Sequence, residues 1–166
     1  MDTTSRTALW RQFGAAIDML DSALHACPEP LWGDRTREPQ FWYLVYHTLF
    51  YLDLYLSESL DGFSPPPPFT LTELDPAGVM PDRVYTREEL ARYLQHGRAK
   101  CRARIEALTP EEAGRRVPFD WLDLSFGELL VYNLRHVQHG VAQLNLILRQ
   151  DTGSAPPWIA RVTGGD

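Results

Sequence analysis

The chain has 166 residues, 44% of them hydrophobic and 23% charged, an ordinary globular composition with length enough for one well-formed core. A formal net charge of −6 repels polyanions, so nucleic acid is not an expected partner. With two cysteines, Cys27 and Cys101, the chain has neither a multi-disulfide framework nor a four-cysteine zinc site.

The start, MDTTSRTALWRQF, lacks the basic-then-apolar layout of an export signal. The longest apolar stretch contains His47 and Asp53 and falls short of the roughly 20 residues of a membrane span. A cytoplasmic protein that does not enter a membrane is expected.

The first helix is predicted over residues 5–27, because Trp10, Phe13, Ile17, Leu20, Leu24 and Cys27 alternate spacings of three and four until Pro28 and Pro30 stop it. The second, residues 39–60, is apolar or aromatic nearly all round, which places it centrally, with Pro39 in its first turn and Asp61-Gly62 closing it. Residues 62–85 then carry Pro65 to Pro68, Pro76 and Pro81. A connection this long is a crossover, and it leaves the second and third helices parallel.

The third helix, residues 86–108, opens with the capping pair Thr86 and Glu89 and lines Leu90, Leu94, Gly97, Cys101, Ile105 and Leu108 along one seam. Its basic run, Arg92, Arg98, Lys100, Arg102 and Arg104, is diluted by Glu88, Glu89 and Glu106 and reads as a solvated face. Thr109-Pro110-Glu111-Glu112 makes one extra turn. The fourth helix, residues 125–150, opens with Ser125 and Glu128, and the tail beyond it is anchored by Trp158. The expectation is a single domain over 1–166, an all-α four-helix bundle of up-down-down-up course, associating as a homodimer.

On the fourth helix, Leu130, Leu134, Val137, Val141, Leu144 and Leu148 fall within about 40° of one direction, the core. A second stripe, Leu129, Asn133, His136, Gly140, Gln143 and Ile147, is rotated from it by roughly 60° to 140° and is too polar for plain packing. A pocket is expected there, facing the second helix. His139 lies about 180° from the aliphatic seam, toward solvent. On the second helix His47 is surrounded by Tyr43, Leu44, Phe50, Tyr51 and Leu54, so its imidazole is expected to be largely buried and neutral. Such a ring is either a metal ligand or a hydrogen-bonded core histidine.

His25 sits at a helix C-terminus, where the dipole favours a cation, and His96 lies in a polar sector. Cys101 faces the seam as a small hydrophobe, whereas Cys27 is expected to be more exposed, with no activating partner.

FWYLVYHTLFYLDLYL, the proline-rich crossover and LSFGELLVYNLRHVQHGVAQLNLILRQ together resemble the DinB/YfiT-like four-helix proteins over nearly the whole chain. The resemblance implies a divalent metal, zinc or nickel, held by one histidine of the second helix and two of the fourth in a pattern close to H-V-Q-x-H-x-x-Q-L. His47 and His136 match two of these positions, and the third falls on Gly140. His139, Asp53, Glu73, Asp75 or a partner subunit are the candidates to complete the set, and the space at Gly140 is taken either by a small ligand or by a larger neighbour.

The implied site therefore has His47, His136 and His139 as metal residues, with Tyr43, Tyr51, Asn133, Gly140 and Gln143 around the pocket. The implied chemistry is that of a thiol-dependent S-transferase or a hydrolase, in which the ion activates a bound thiol or water. The alternative is a member without a metal that binds a small molecule or serves as a stress-associated interaction domain.

Overall fold

The computed structural model describes residues 2–162. Helix α1, Thr3–Ala26, begins ahead of the predicted start because the Asp2 side chain accepts the Ser5 N–H at 2.7 Å. A short helix that the sequence reading missed, α2, Glu29–Trp32, follows at once: Pro28 is its N-cap and Pro30 stands in the first turn, where a proline lacks only an N–H that has no helical acceptor.

Helix α3, Phe41–Ser57, is shorter than the predicted 39–60 at both ends. Gln40 is the N-cap, so Pro39 stays outside, and Glu58 takes the left-handed conformation with φ 65° and ends the helix before Asp61-Gly62. Glu58 is buried, and its carboxylate is gripped by Arg104 and Arg115. Those ion pairs hold a conformation that a glycine would adopt unaided.

Helix α4, Arg87–Ala107, and helix α6, Phe126–Thr152, both start with the reciprocal capping contacts predicted at Thr86/Glu89 and Ser125/Glu128. Between them α5, Pro110–Gly114, is capped by Thr109 and Glu112. Among the described residues there is no strand, and one isolated antiparallel bridge joins Arg116 to Ser125. No helix there is long and apolar enough to cross a membrane.

Helix α1 packs on α4 and α6, and α3 packs on the same two. Trp42 meets Tyr85 at the start of the α3–α4 contact, Asp53 meets Lys100 in its middle and Glu58 meets Arg104 at its end. Residue numbers thus rise together along α3 and α4. Along α3 and α6 they run oppositely: His47 lies by His136 and Tyr55 by Tyr132.

The crossover is laid across this frame by aromatic packing. Phe69 stacks on Tyr93 at 4.4 Å and on Tyr46 at 5.8 Å, and the Tyr46 hydroxyl donates to the Thr70 carbonyl at 3.0 Å. Immediately after this anchor the chain makes a 3-10 turn, Thr72–Leu74, which places Glu73 over α3.

The tail is fixed differently from the expectation. Trp158 is 70% exposed, whereas Val162 is 7% exposed and donates its N–H to the Arg11 carbonyl at 3.0 Å. Val162 sits where a Cβ on Gly14 would come within 3.0 Å of it, so the missing side chain on α1 is what admits the tail. Cys27 is also not exposed: it is 3% accessible, and burial pushes its thiol up to about 12. Cys101 is fully buried and its thiol is likewise raised by burial, so neither sulfur is a nucleophile at neutral pH.

Candidate functional site

Helix α6 meets α3 at Gly140. A Cβ there would stand 2.3 Å from the Thr48 hydroxyl oxygen, which itself donates to the Leu44 carbonyl at 2.7 Å. The space that Gly140 leaves is therefore taken by the neighbour Thr48. One turn earlier on α6, His136 lies against His47 with ring centroids 5.5 Å apart and planes at 55°. Tyr51, at 5.7 Å and 67°, and Tyr55, at 6.2 Å and 88°, present their rings to the same imidazole.

His136 is half-buried, with its Nε2 out of contact with solvent. Burial first, then the charges of His47 and His139, pushes its pKa down to about 4, while a hydrogen bond to the His47 backbone carbonyl acts in the opposite direction. It is neutral at neutral pH. Its Nε2 is buried with no hydrogen-bond partner among the described residues.

His47 is more open than expected, with 38% of its side chain accessible, because it forms the wall of a cleft between Tyr43 and Tyr51. The buried group is its partner. Nδ1 of His47 stands 2.7 Å from Oε2 of Glu73, whose side chain is 2% accessible. With Nδ1–H donated to the carboxylate, Nε2 is the acceptor of the neutral ring. The other carboxylate oxygen, Oε1, is buried without a hydrogen-bond partner among the described residues. The Tyr43 phenol is held above its usual range by burial and then by the nearby Glu73 carboxylate, and the Tyr51 hydroxyl donates to the Glu73 backbone carbonyl at 3.4 Å.

These groups line a cleft of about 490 Å³. Tyr55, Tyr132 and Trp121 form its aromatic side, and Leu74, Asp75 and Pro76 of the crossover form its rim.

Residues 12–144 match the family model of the DinB superfamily. The chain belongs to the DinB superfamily. No curated protein and no solved structure matches it.

In this DinB protein, His47, His136 and Tyr51 meet at the cleft, and Tyr43 flanks it beside His47 and Glu73. The other expected residues lie elsewhere. Asn133 is fully buried and spends its amide on the Leu52 carbonyl at 3.0 Å, joining α6 to α3. Gly140 is closed by Thr48. His139 and Gln143 are exposed and paired with each other, their side-chain nitrogens 3.2 Å apart, although His139 is near enough for His136 to feel its charge.

Of the other carboxylates considered, Asp53 is committed to Lys100 and Tyr93, and Asp75 accepts the Ala77 N–H at 2.8 Å. Glu73, the remaining one, reaches His47. Tyr55, Tyr132 and Trp121 were not singled out from the sequence. Tyr132 stands one turn before His136, so helical spacing carries that signal; Trp121 lies in a loop whose position only the folded chain determines.

A divalent ion can be tested against these residues. Two imidazoles sharing a tetrahedral ion at the usual bond length have centres about 5 to 6 Å apart, which the 5.5 Å separation matches. The unpartnered Nε2 of His136, and a His47 whose other nitrogen is occupied by a carboxylate, suit the same role. Among the described residues no group of three or more His, Cys, Asp or Glu side chains is placed to hold one ion. The donor set therefore fits a two-histidine site, with Glu73 orienting His47 from behind.

Proposed function

We propose that this DinB superfamily protein is an enzyme acting on a small molecule in the cleft between α3 and α6, of the thiol-transferase or hydrolase type, with His47 and His136 as its working pair. The bundle follows an up-down-down-up course in this reading. That course is supported by the shared direction of α3 and α4 and by the opposed pairing of α1 with α4, where Arg87 bonds the Leu24 carbonyl and Arg6 the Leu108 carbonyl. One observation carries the functional reading: the Nε2 of His136 is buried beside a second imidazole with no hydrogen-bond partner among the described residues. A buried polar atom left unpaired is destabilising by about 1–3 kcal/mol, which a bound ligand recovers.

His47 and His136 would hold a zinc or nickel ion, whose chemistry when bound is to lower the pKa of a thiol or water. The chain's own contributions are defined without it. Glu73 fixes the His47 tautomer by accepting Nδ1–H, burial keeps His136 neutral, and Tyr51 packs against both rings.

A second reading is favoured by the packing of Gly140 on Thr48 and by the outward His139, which leave two imidazoles without a third protein donor. In that reading the Glu73–His47 pair serves as a general base for a ligand held without metal. Elemental analysis of protein purified without chelator or metal-affinity resin decides between them. A stoichiometric metal that is lost in His47→Ala and His136→Ala upholds the first reading; metal-free wild-type protein removes it.

A further inference from the structure

We propose that the cleft takes the alkylated ammonium group of an organic cation, with aromatic faces around it and Glu73 as its counter-charge. This deepens the small-molecule reading of the same cleft and does not require a metal.

The first observation is the shape of the aromatic side. Tyr55 stands at 79° to Tyr132 and at 40° to Tyr51, with centroids 5.5 Å and 5.6 Å away, and Trp121 lines the same side of the cleft. Rings set at steep angles to one another form a concave wall, and the face of each ring carries partial negative charge.

The second is where positive charge is missing. Elsewhere in the fold buried or half-buried carboxylates are matched by a permanent cation: Asp53 by Lys100, Glu58 by Arg104 and Arg115, Asp18 by Arg98, Asp151 by Arg37. Among the described residues lining the cleft there is neither lysine nor arginine, yet it holds Glu73 and Asp75. Glu73 has only a histidine, a cation solely when protonated, and its Oε1 is buried with no partner.

A site of this charge disfavours an anionic ligand. A primary ammonium would need each of its three protons accepted, a demand that the ring faces of Tyr55, Tyr132 and Trp121 on the aromatic side do not meet. Methylated nitrogen needs none, and a ring face attracts it by about 0.5–2 kcal/mol.

Isothermal titration of the full chain with choline, against its uncharged isostere 3,3-dimethylbutan-1-ol, tests this. Choline is expected to bind at least about tenfold more tightly than the alcohol, and Trp121→Ala, Tyr132→Ala and Glu73→Gln are each expected to weaken choline about tenfold without weakening the alcohol to that extent. Equal affinity for the two probes, no binding of choline at millimolar concentration, or choline binding untouched in all three variants overturns the proposal. Metal content measured on the same preparations keeps the two readings apart. Choline discrimination by metal-free protein upholds the cation site while removing the metal, and bound metal without discrimination does the reverse.

Discussion

Asp53, on α3, and Glu73, laid over it, are both buried, with 1% and 2% of their side chains accessible, yet their charges are met in opposite ways. Asp53 has Lys100 at 2.5 Å and His96 at 3.4 Å on one oxygen, and the Tyr93 hydroxyl at 3.1 Å on the other. Glu73 has a histidine on one oxygen and, among the described residues, no hydrogen-bond partner on the other. The first carboxylate is saturated by its own chain and fastens α3 to α4. The second keeps an unbonded oxygen at the cleft, and the proposed ligand site rests on that difference.

The strongest way to break this contrast is to remove the cation from the saturated site. Lys100→Met leaves the Asp53 charge buried without its main partner, and a loss of about 3–5 kcal/mol is expected from urea unfolding. Glu73→Gln, by comparison, is expected to change stability little, since an amide still bonds His47 and no buried charge is stranded. If the two variants lose equal stability, the carboxylates do not differ in role.

A somewhat smaller effect follows from His136. Its folded pKa of about 4 lies below the ordinary value of 6.5, so the unfolded chain takes up the proton more readily. The contribution is therefore fully present above pH 6.5 and is lost as pH falls toward 4, by about 3 kcal/mol in all. Unfolding midpoints at pH 7 and pH 4.5 are expected to draw together in His136→Gln relative to wild type. An unchanged pH slope in that variant means that the ring is not the buried base described here.

Much of the frame was legible because helices announce themselves by period and caps. The seams of α1, α4 and α6 and the capping boxes at Thr86 and Ser125 depend on neighbours a few residues apart. What required long-range information was misjudged: Glu58 ends α3 only because Arg104 and Arg115 arrive from elsewhere, and Val162 anchors the tail only because Gly14 lies beneath it.

The site divides in the same manner. Facing imidazoles at 47 and 136 follow from two helical periods, and the structure sets their rings 5.5 Å apart. Glu73, one carboxylate among several from the sequence alone, is selected by the Phe69 anchor that fixes the turn carrying it. Exposure was misjudged for His47, since apolar neighbours on one helix describe that helix and not the cleft opening beside it.

The mildest perturbation addresses Gly140. Were this position a vacated ligand site with room to spare, Gly140→His would restore a donor and raise zinc affinity. The packing argues otherwise: the new Cβ would meet the Thr48 hydroxyl at 2.3 Å and its methyl at 3.0 Å, on a side chain already bonded to Leu44. Forcing α3 and α6 apart is expected to cost about 1–3 kcal/mol. Zinc affinity, read by competition with a chromophoric chelator, is expected not to rise. Thr48→Ala removes both close atoms, so the double variant is expected to recover most of the lost stability. A Gly140→His protein as stable as wild type and tighter for zinc would show instead that the helices yield readily here, and that the contact with Thr48 is a consequence of the glycine and not a constraint upon it.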